Sequence, residues 1–137
     1  MNVRLAIRKT SLRLPAVKRI ILISDDNPAV AKAFAQGAEE LGVTILAEVP
    51  NKVVVRARKE QPDLIILDIQ QADGLEVLSL LKTGLSTRKI PVVVVAAEES
   101  PTLRDMALEI GADAFVAKPL EADFLPKVIT LLGPQKK

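Results

Sequence analysis

The sequence reads IILISDD at residues 20–26, so an apolar run stops abruptly on two adjacent carboxylates. A second run, DLIILD at residues 63–68, also ends on an acid, and DAFVAKP at residues 113–119 ends on a lysine followed by proline. Runs this apolar are typical of strands in a parallel sheet that is covered on both faces. In such sheets ligands bind beyond the carboxyl ends of the strands. The pattern therefore predicts a site for a small cation and an anionic group, built from Asp25, Asp26, Asp68 and Lys118.

Composition limits the class of protein. With 137 residues, of which 49% are hydrophobic, the chain can form one domain with a substantial core. It contains no cysteine and no histidine, which excludes disulfide scaffolds, thiolate or imidazole zinc sites and Ser-His-Asp catalysis. Aromatic residues make up only 2%, which disfavours nucleic-acid binding by base stacking. No apolar run approaches the roughly 20 residues that span a bilayer, and we expect a cytoplasmic protein.

Charge is distributed unevenly along the chain. Residues 1–19 carry six basic residues and no acid, whereas the remaining 13 basic and 17 acidic residues give 20–137 a net charge of −4. We interpret residues 1–18 as a basic tail or linker, 19–133 as the single domain and 134–137 as a C-terminal tail. Weak attraction of the basic tail to nucleic acid or anionic lipid is the alternative.

Strand-like and helical stretches alternate five times after residue 18. Hydrophobic periodicity predicts strands at 19–24, 43–48, 63–67, 91–96 and 113–117. Helices are expected from Asn27-Pro28 to Gly42, at 51–60, from Gly74 to Leu85, from Ser100-Pro101 to Gly111 and at about 124–132. Leu41, Leu85 and Met106 are expected on inward faces of these helices. The alternation indicates a doubly wound α/β fold with a parallel sheet.

These residues resemble the receiver domain of bacterial two-component response regulators. The resemblance rests on the acidic pair after strand one, Asp68 after strand three and Lys118-Pro119 after strand five, and it covers about residues 19–132. Supporting pieces are Gln61-Pro62-Asp63, Asp73-Gly74, Ile90-Pro91 and Gly111-Ala112-Asp113. The resemblance implies a flavodoxin-like or CheY-like sheet of five parallel strands in the order 2-1-3-4-5, with helices on both faces. Strands one and three would then be neighbours.

The resemblance also implies a chemistry. Asp68 would accept a phosphoryl group, and Lys118 would neutralise charge on it. Mg²⁺ would relieve the repulsion between the carboxylates; its protein ligands would be Asp26, Asp68, the backbone carbonyl of Gln70 and, mainly through water, Asp25. The competing interpretation is structural: Asp26 and Asp73 would cap helices, and Lys118 would be a solvated surface residue.

The chain departs from the family pattern at two places. The loop from Asp68 to Asp73-Gly74 is two residues shorter than usual, which affects the assignment of Gln70. Ala96 stands where the family usually has Ser or Thr, so the hydroxyl that is coupled to an aromatic residue on strand five, here Phe115, is missing. Phe115 fits a switch role or plain core packing. Gln70 and Glu98 occupy the two positions that tune the loss of the phosphoryl group in the family.

Three functions are compatible with these residues. The first is a phosphoacceptor switch, not a metabolic enzyme, which takes phosphoryl groups from a histidine kinase or a histidine phosphotransfer protein. It would bind a downstream protein through the face of helix four, strand five and helix five, without direct contact with nucleic acid. The second is a receiver-like (pseudo-receiver) interaction module that works without phosphorylation. The third, an enzyme or nucleotide binder of similar fold, is disfavoured because the acidic, glycine-free turn after strand one repels phosphates.

Overall fold

The computed structural model describes residues 19–24, 32, 35, 37–69, 73–118 and 124–130. Within these residues strands and helices alternate along the chain. The strands are β1 (Arg19–Ser24), β2 (Val43–Glu48), β3 (Leu64–Ile69), β4 (Val92–Ala96) and β5 (Ala114–Ala117). Residues 32, 35, 37 and 38 are helical and form the described part of α1. The further helices are α2 (Val53–Glu60), α3 (Asp73–Thr83), α4 (Pro101–Ile110) and α5 (Phe124–Ile129).

The five strands form one parallel sheet in the order β2-β1-β3-β4-β5. The predicted order 2-1-3-4-5 is confirmed. Because β1 and β3 are neighbours and their register pairs Ser24 with Leu67, the residue before the acidic pair is level with the residue before Asp68. The topology therefore brings the ends of the two acid-bearing strands together.

Both sheet faces are buried, which explains the uninterrupted apolar runs. One core layer lies beneath α2, α3 and α4 and includes Leu22, Ile65, Leu67, Leu78 and Val94. The other contains Ile21, Ile23, Ile66 and Val95, and it packs against Ala38 of α1 and against Phe124, Leu125 and Val128 of α5. Alternate residues of each strand thus face opposite layers.

Two helix boundaries follow the predicted signals. The Ser100 hydroxyl accepts a hydrogen bond from the backbone N–H of Leu103 at 3.2 Å, as expected of the residue that caps α4. Gly42 has a φ of 72° and ends the 3₁₀ turn Glu39–Leu41 that follows α1. The expected start of α1 at Asn27-Pro28 lies outside the described residues.

The predicted end of α3 is wrong. The helix ends at Thr83, and Leu85 is 86% exposed instead of facing the core. The N–H of Gly84 makes the last regular helical bond, to the carbonyl of Leu80 at 3.1 Å, and the next carbonyl, that of Leu81, accepts from the Thr87 hydroxyl at 2.7 Å. These bonds satisfy carbonyls of the last turn and divert the chain toward β4.

Met106 and Leu41 were also predicted on inward helix faces and are exposed in the structure. Met106 is 47% exposed because α4 turns its Leu103, Ala107 and Ile110 line toward the core. Leu41 is 45% exposed because it lies in a 3₁₀ turn, whose tighter winding shifts it off the buried line of α1.

The strands predicted at 19–24 and 43–48 have those bounds in the structure, and the other strand boundaries differ from the predicted ones by one or two residues. The strand predicted at 63–67 spans Leu64–Ile69, since Asp68 and Ile69 pair with Val95 and Ala96 of β4. The helix predicted at 51–60 is α2, preceded by a 3₁₀ turn at Pro50–Lys52. The described part of α5 ends at Ile129, and the predicted end near residue 132 lies outside the described residues.

Two aspartates repeat the same contact at the amino end of the sheet. The Asp63 carboxylate accepts from the N–H of Ile20, and the Asp63 N–H donates to the Ile20 carbonyl, both at 2.8 Å. Asp113 makes the same pair of 2.8 Å bonds with Val92, and its carboxylate also contacts Nζ of Lys82 at 3.3 Å. Each aspartate, standing just before its own strand, thereby satisfies an N–H at the start of the neighbouring strand, that of Ile20 in β1 or of Val92 in β4. This explains why an acid precedes both β3 and β5.

Replacing Asp113 by alanine is expected to lower the free energy of unfolding by about 1–2 kcal/mol, because the Val92 N–H loses its acceptor in a partly buried position. Urea unfolding followed by circular dichroism measures this change. Asp105→Ala is the matched control, since its side chain is 74% exposed, and it should change stability by less than about 0.5 kcal/mol. Equal losses in the two variants would contradict the assigned role of Asp113.

Candidate functional site

Asp68 lies near the carboxyl end of β3, the central strand of the sheet. It pairs with Val95 of β4, and only 8% of the residue is exposed. Its neighbours in β3, Leu67 and Ile69, are both buried in the core layer below α2–α4. A carboxylate in such a position requires a compensating charge, because burial of an unpaired charge is strongly unfavourable.

Lys118 provides that charge. Its ammonium Nζ lies 2.5 Å from Oδ2 of Asp68, with 29% of the lysine side chain and 5% of the aspartate side chain exposed. The backbone N–H of Lys118 donates to the carbonyl of Ala96 at 2.8 Å, which fixes the chain just after β5 against the end of β4. The long side chain thus crosses β4 to reach β3, over two strand spacings of about 10 Å in total.

The other predicted ligands lie outside the described residues. These are Asp25, Asp26 and Gln70. Within the described part of the chain, no group of three or more acidic side chains is close enough to hold a metal ion. Ser24, the residue just before the acidic pair, is described and is paired with Leu67, the residue before Asp68.

The predicted switch and tuning residues have different environments. Ala96 is 1% exposed at the end of β4, and Phe115 is half-buried and packs against the core layer under α2–α4. Glu98 is exposed in the loop after β4. Ala96 offers only a methyl group at this edge of the sheet, so position 96 has no hydroxyl that could donate a hydrogen bond.

The sequence argument missed two polar residues near this edge. The Ser24 hydroxyl is fully buried and has no hydrogen-bond partner among the residues that the structure describes, although a polar residue that ends an apolar run is a visible signal. Glu48 is level with Ser24 on β2 and contacts Arg56 at 3.1 Å. The hydrogen bond from the Val49 N–H, and after it Arg56, lowers the pKa of the Glu48 carboxyl from its ordinary value of 4.5.

Comparison with known proteins decides the family. The model of the response regulator receiver domain matches residues 21–130 of the chain. The chain belongs to this family. Receiver domains are modules of two-component signalling that interact with kinases and downstream effectors, and they are generally not enzymes.

Curated relatives support the assignment of the receiver domain. The polar-differentiation response regulator DivK of Brucella ovis is 32% identical over 117 residues, which cover 82% of this chain and 95% of DivK. A protein of Pseudomonas aeruginosa is 39% identical over 103 residues, which cover 72% of this chain. The matched residues make up 48% of the Pseudomonas aeruginosa protein. The gliding motility regulatory protein of Myxococcus xanthus is 31% identical over 76% of this chain, and the matched residues make up 14% of that protein.

Solved structures show the same fold. The chemotaxis protein CheY4 of Vibrio cholerae superposes with a TM-score of 0.75 at 18% identity, over 85% of this chain and 99% of that one. The signal receiver domain of a signal transduction histidine kinase from Syntrophus aciditrophicus is 30% identical, with a TM-score of 0.70, over 83% of this chain and 89% of that one. Within the described residues, no helix of the receiver domain has the length and apolar character needed to cross a membrane.

Proposed function

We propose that this receiver domain is a phosphoacceptor switch in which Asp68 takes a phosphoryl group. The observation that supports this most directly is the buried carboxylate of Asp68 in contact with Nζ of Lys118 at the carboxyl edge of the sheet. A solvated surface lysine would not cross β4 to meet a buried carboxylate, so this contact argues against the structural interpretation of Lys118.

The reaction follows from the two groups. An oxygen of the Asp68 carboxylate attacks phosphorus and forms a new O–P bond, while the P–N bond of a phosphohistidine donor breaks and its electron pair returns to the imidazole. Charge on the phosphoryl oxygens is neutralised by the ammonium of Lys118, which already lies at the carboxylate. Phosphoryl transfer depends largely on such positioning and electrostatic stabilisation.

The donor set fits Mg²⁺. Asp68 supplies a buried carboxylate one position beyond Leu67, the residue with which Ser24 at the end of β1 is paired, and carboxylate oxygens are the ligands that Mg²⁺ prefers. Asp26, Asp68 and the Gln70 carbonyl would hold the ion, with Asp25 acting through water. When bound, the ion offsets the repulsion among the acids and the charge on the phosphoryl group.

The proposed donor is a histidine kinase or a histidine phosphotransfer protein. The proposed output surface consists of α4, β5 and α5, where Phe115 packs half-buried between the core and solvent. Transmission from Asp68 to this face must proceed without a hydroxyl at position 96. A lost hydrogen bond to a charged group is worth roughly 1.5–3 kcal/mol, which would weaken the shift between inactive and active states.

Incubation with radiolabelled acetyl phosphate and Mg²⁺, followed by electrophoresis and autoradiography, tests the proposal. The native chain should be labelled, Asp68→Asn should not, and Asp105→Asn, which changes an exposed acid, should be labelled like the native chain. Absence of label on the native chain, or equal label on Asp68→Asn, would overturn the phosphoacceptor assignment.

A receiver-like interaction module without phosphorylation is the second candidate, and the alanine at position 96 favours it. In that case the face of α4, β5 and α5 would bind its partner equally well with and without acetyl phosphate. A partner affinity that changes on phosphorylation and not in the Asp68→Asn variant would reject this candidate.

A further inference from the structure

Four large apolar residues are exposed on the outer surface of the α2–α3–α4 layer. Val55 of α2 is 66% exposed, Leu80 of α3 is 50% exposed, and Met106 and Leu108 of α4 are 47% and 44% exposed. All four lie on the same side of the sheet, since these three helices cover one core layer. Met106 and Leu108 share the helix α4, whereas Val55 and Leu80 stand singly on α2 and α3, so the charges around these residues decide what the surface can bind.

The α2 end of this surface is basic. Val53 and Ala57 are buried, so Val55 and Lys59 lie on the opposite, outward line of the helix, and Lys52 is exposed in the 3₁₀ turn just before it. Arg58 is also exposed, whereas Arg56 is engaged by Glu48 at 3.1 Å and by Glu60 at 3.3 Å. Three exposed cations, Lys52, Arg58 and Lys59, therefore surround the exposed Val55; we call this group of residues the basic face.

The α4 end is acidic. Because Leu103, Ala107 and Ile110 turn inward, Asp105 and Glu109 form the outward line, and Met106 and Leu108 flank it on either side. Glu98 and Glu99 extend the negative charge into the exposed loop before the helix. Arg104 is the one base of this helix, and its Nε lies 3.6 Å from Oδ1 of Asp105. We call this outward side of α4 the acidic face.

We propose that the basic face of one molecule binds the acidic face of a second copy of this chain. The two faces carry charge of opposite sign together with exposed apolar side chains, Val55 on the basic face and Met106 and Leu108 on the acidic face. Lys52, in the 3₁₀ turn before α2, and Lys59 are separated by about 10 Å at the helical rise, and Asp105 and Glu109 are separated by about 6 Å along α4. The charges of both faces therefore fall within a short helical span. A second copy is favoured over an unrelated partner because the two complementary surfaces are present on the same molecule.

The geometry sets the form of the assembly. The two faces lie on different helices, on either side of α3, so the contact is heterologous and leaves a free face of each kind at the ends of a dimer. Addition of further copies follows at higher concentration. The small area of two single-helix faces makes the contact weak and transient, and exposed charges make it sensitive to salt.

Sedimentation velocity on the full chain tests the proposal. At low ionic strength the average sedimentation coefficient should rise with protein concentration, and about 0.5 M salt should abolish the rise. The double variants Lys52→Glu with Lys59→Glu, and Asp105→Lys with Glu109→Lys, should each weaken association at least about tenfold. An equimolar mixture of the two variants should associate again, because each variant then offers the sign that the other lacks.

The controls separate this contact from other causes. Recovery of association in the mixture shows that both variants fold. Deletion of residues 2–18 should leave association unchanged, because the proposed contact does not include the basic tail. A native chain that stays monomeric at low salt and high concentration would overturn the proposal. So would charge-reversed variants that still associate like the native chain, or association that disappears only when the basic tail is deleted.

Discussion

Replacing Lys118 by methionine is expected to destabilise the protein by about 1–3 kcal/mol, and by more than Asp68→Asn does. Removal of one member of a buried ion pair typically costs about 3–5 kcal/mol, because the other charge is left buried without compensation. The lower range applies here because 29% of the lysine side chain is exposed and solvent screens part of the interaction. The Asp68 side chain, at 5% exposure, cannot turn to solvent in the same way.

The opposite substitution has a smaller expected effect. In Asp68→Asn the remaining charge is the ammonium of Lys118, which can extend toward water on its flexible stem. The double variant should therefore recover much of the stability that Lys118→Met loses. Urea unfolding at neutral pH, followed by circular dichroism because the chain has no tryptophan, measures all three variants.

Lys89→Met is the matched control for the loss of a cation, since Lys89 is exposed in the turn before β4. It should change stability by less than about 0.5 kcal/mol. If Lys118→Met were as stable as Lys89→Met, the ammonium would not compensate the buried carboxylate, and the electrostatic account of the site would fail.

Replacing Leu78 by alanine should lower the free energy of unfolding by about 2–5 kcal/mol, a large part of the stability of an ordinary domain. Leu78 is fully buried in the core layer under α2–α4, which also contains Leu67 and Val94, and truncation leaves a cavity in that layer. The variant should also reduce phosphorylation at elevated temperature, since the same layer supports the end of β3.

Leu85→Ala provides a control with the same chemical change. Leu85 is 86% exposed, so its truncation should alter stability by less than about 0.5 kcal/mol. A large loss in Leu85→Ala would show that α3 extends past Thr83, as the leucine spacing alone predicts. Chemical denaturation of the two variants side by side distinguishes these outcomes.

The strand pattern could be predicted because it depends on short-range signals. Each buried strand is an apolar run rich in β-branched residues that ends at a polar residue. A parallel sheet brings these ends to one edge, and this does not depend on where the helices begin and end. The contact between Asp68 and Lys118 follows from this topology together with the reach of a lysine side chain. The order of the strands came from the resemblance to receiver domains, and not from the residues alone.

The errors have local causes. The helical spacing of leucines continues from Leu81 to Leu85, and it predicts a longer helix than the structure has. The spacing does not reveal the hydrogen bond that the Thr87 hydroxyl donates to the Leu81 carbonyl where the helix ends. Met106 fits the apolar periodicity of α4, yet the buried line is narrower than the apolar stripe, and the sequence does not show its width. The burial of the Ser24 hydroxyl could not be predicted because a single polar residue hardly changes a strand pattern.

An NMR titration with Mg²⁺ and beryllofluoride, which mimics a bound phosphoryl group, tests the central claim most directly. We expect large changes in the amide signals of residues 67–69 and of Lys118, extending to Phe115 if the output face responds, and no such changes in Asp68→Asn. Amide signals that stay in place at saturating Mg²⁺ and beryllofluoride, in a folded native chain, would contradict the claim that Asp68 and Lys118 form a phosphoryl-binding centre.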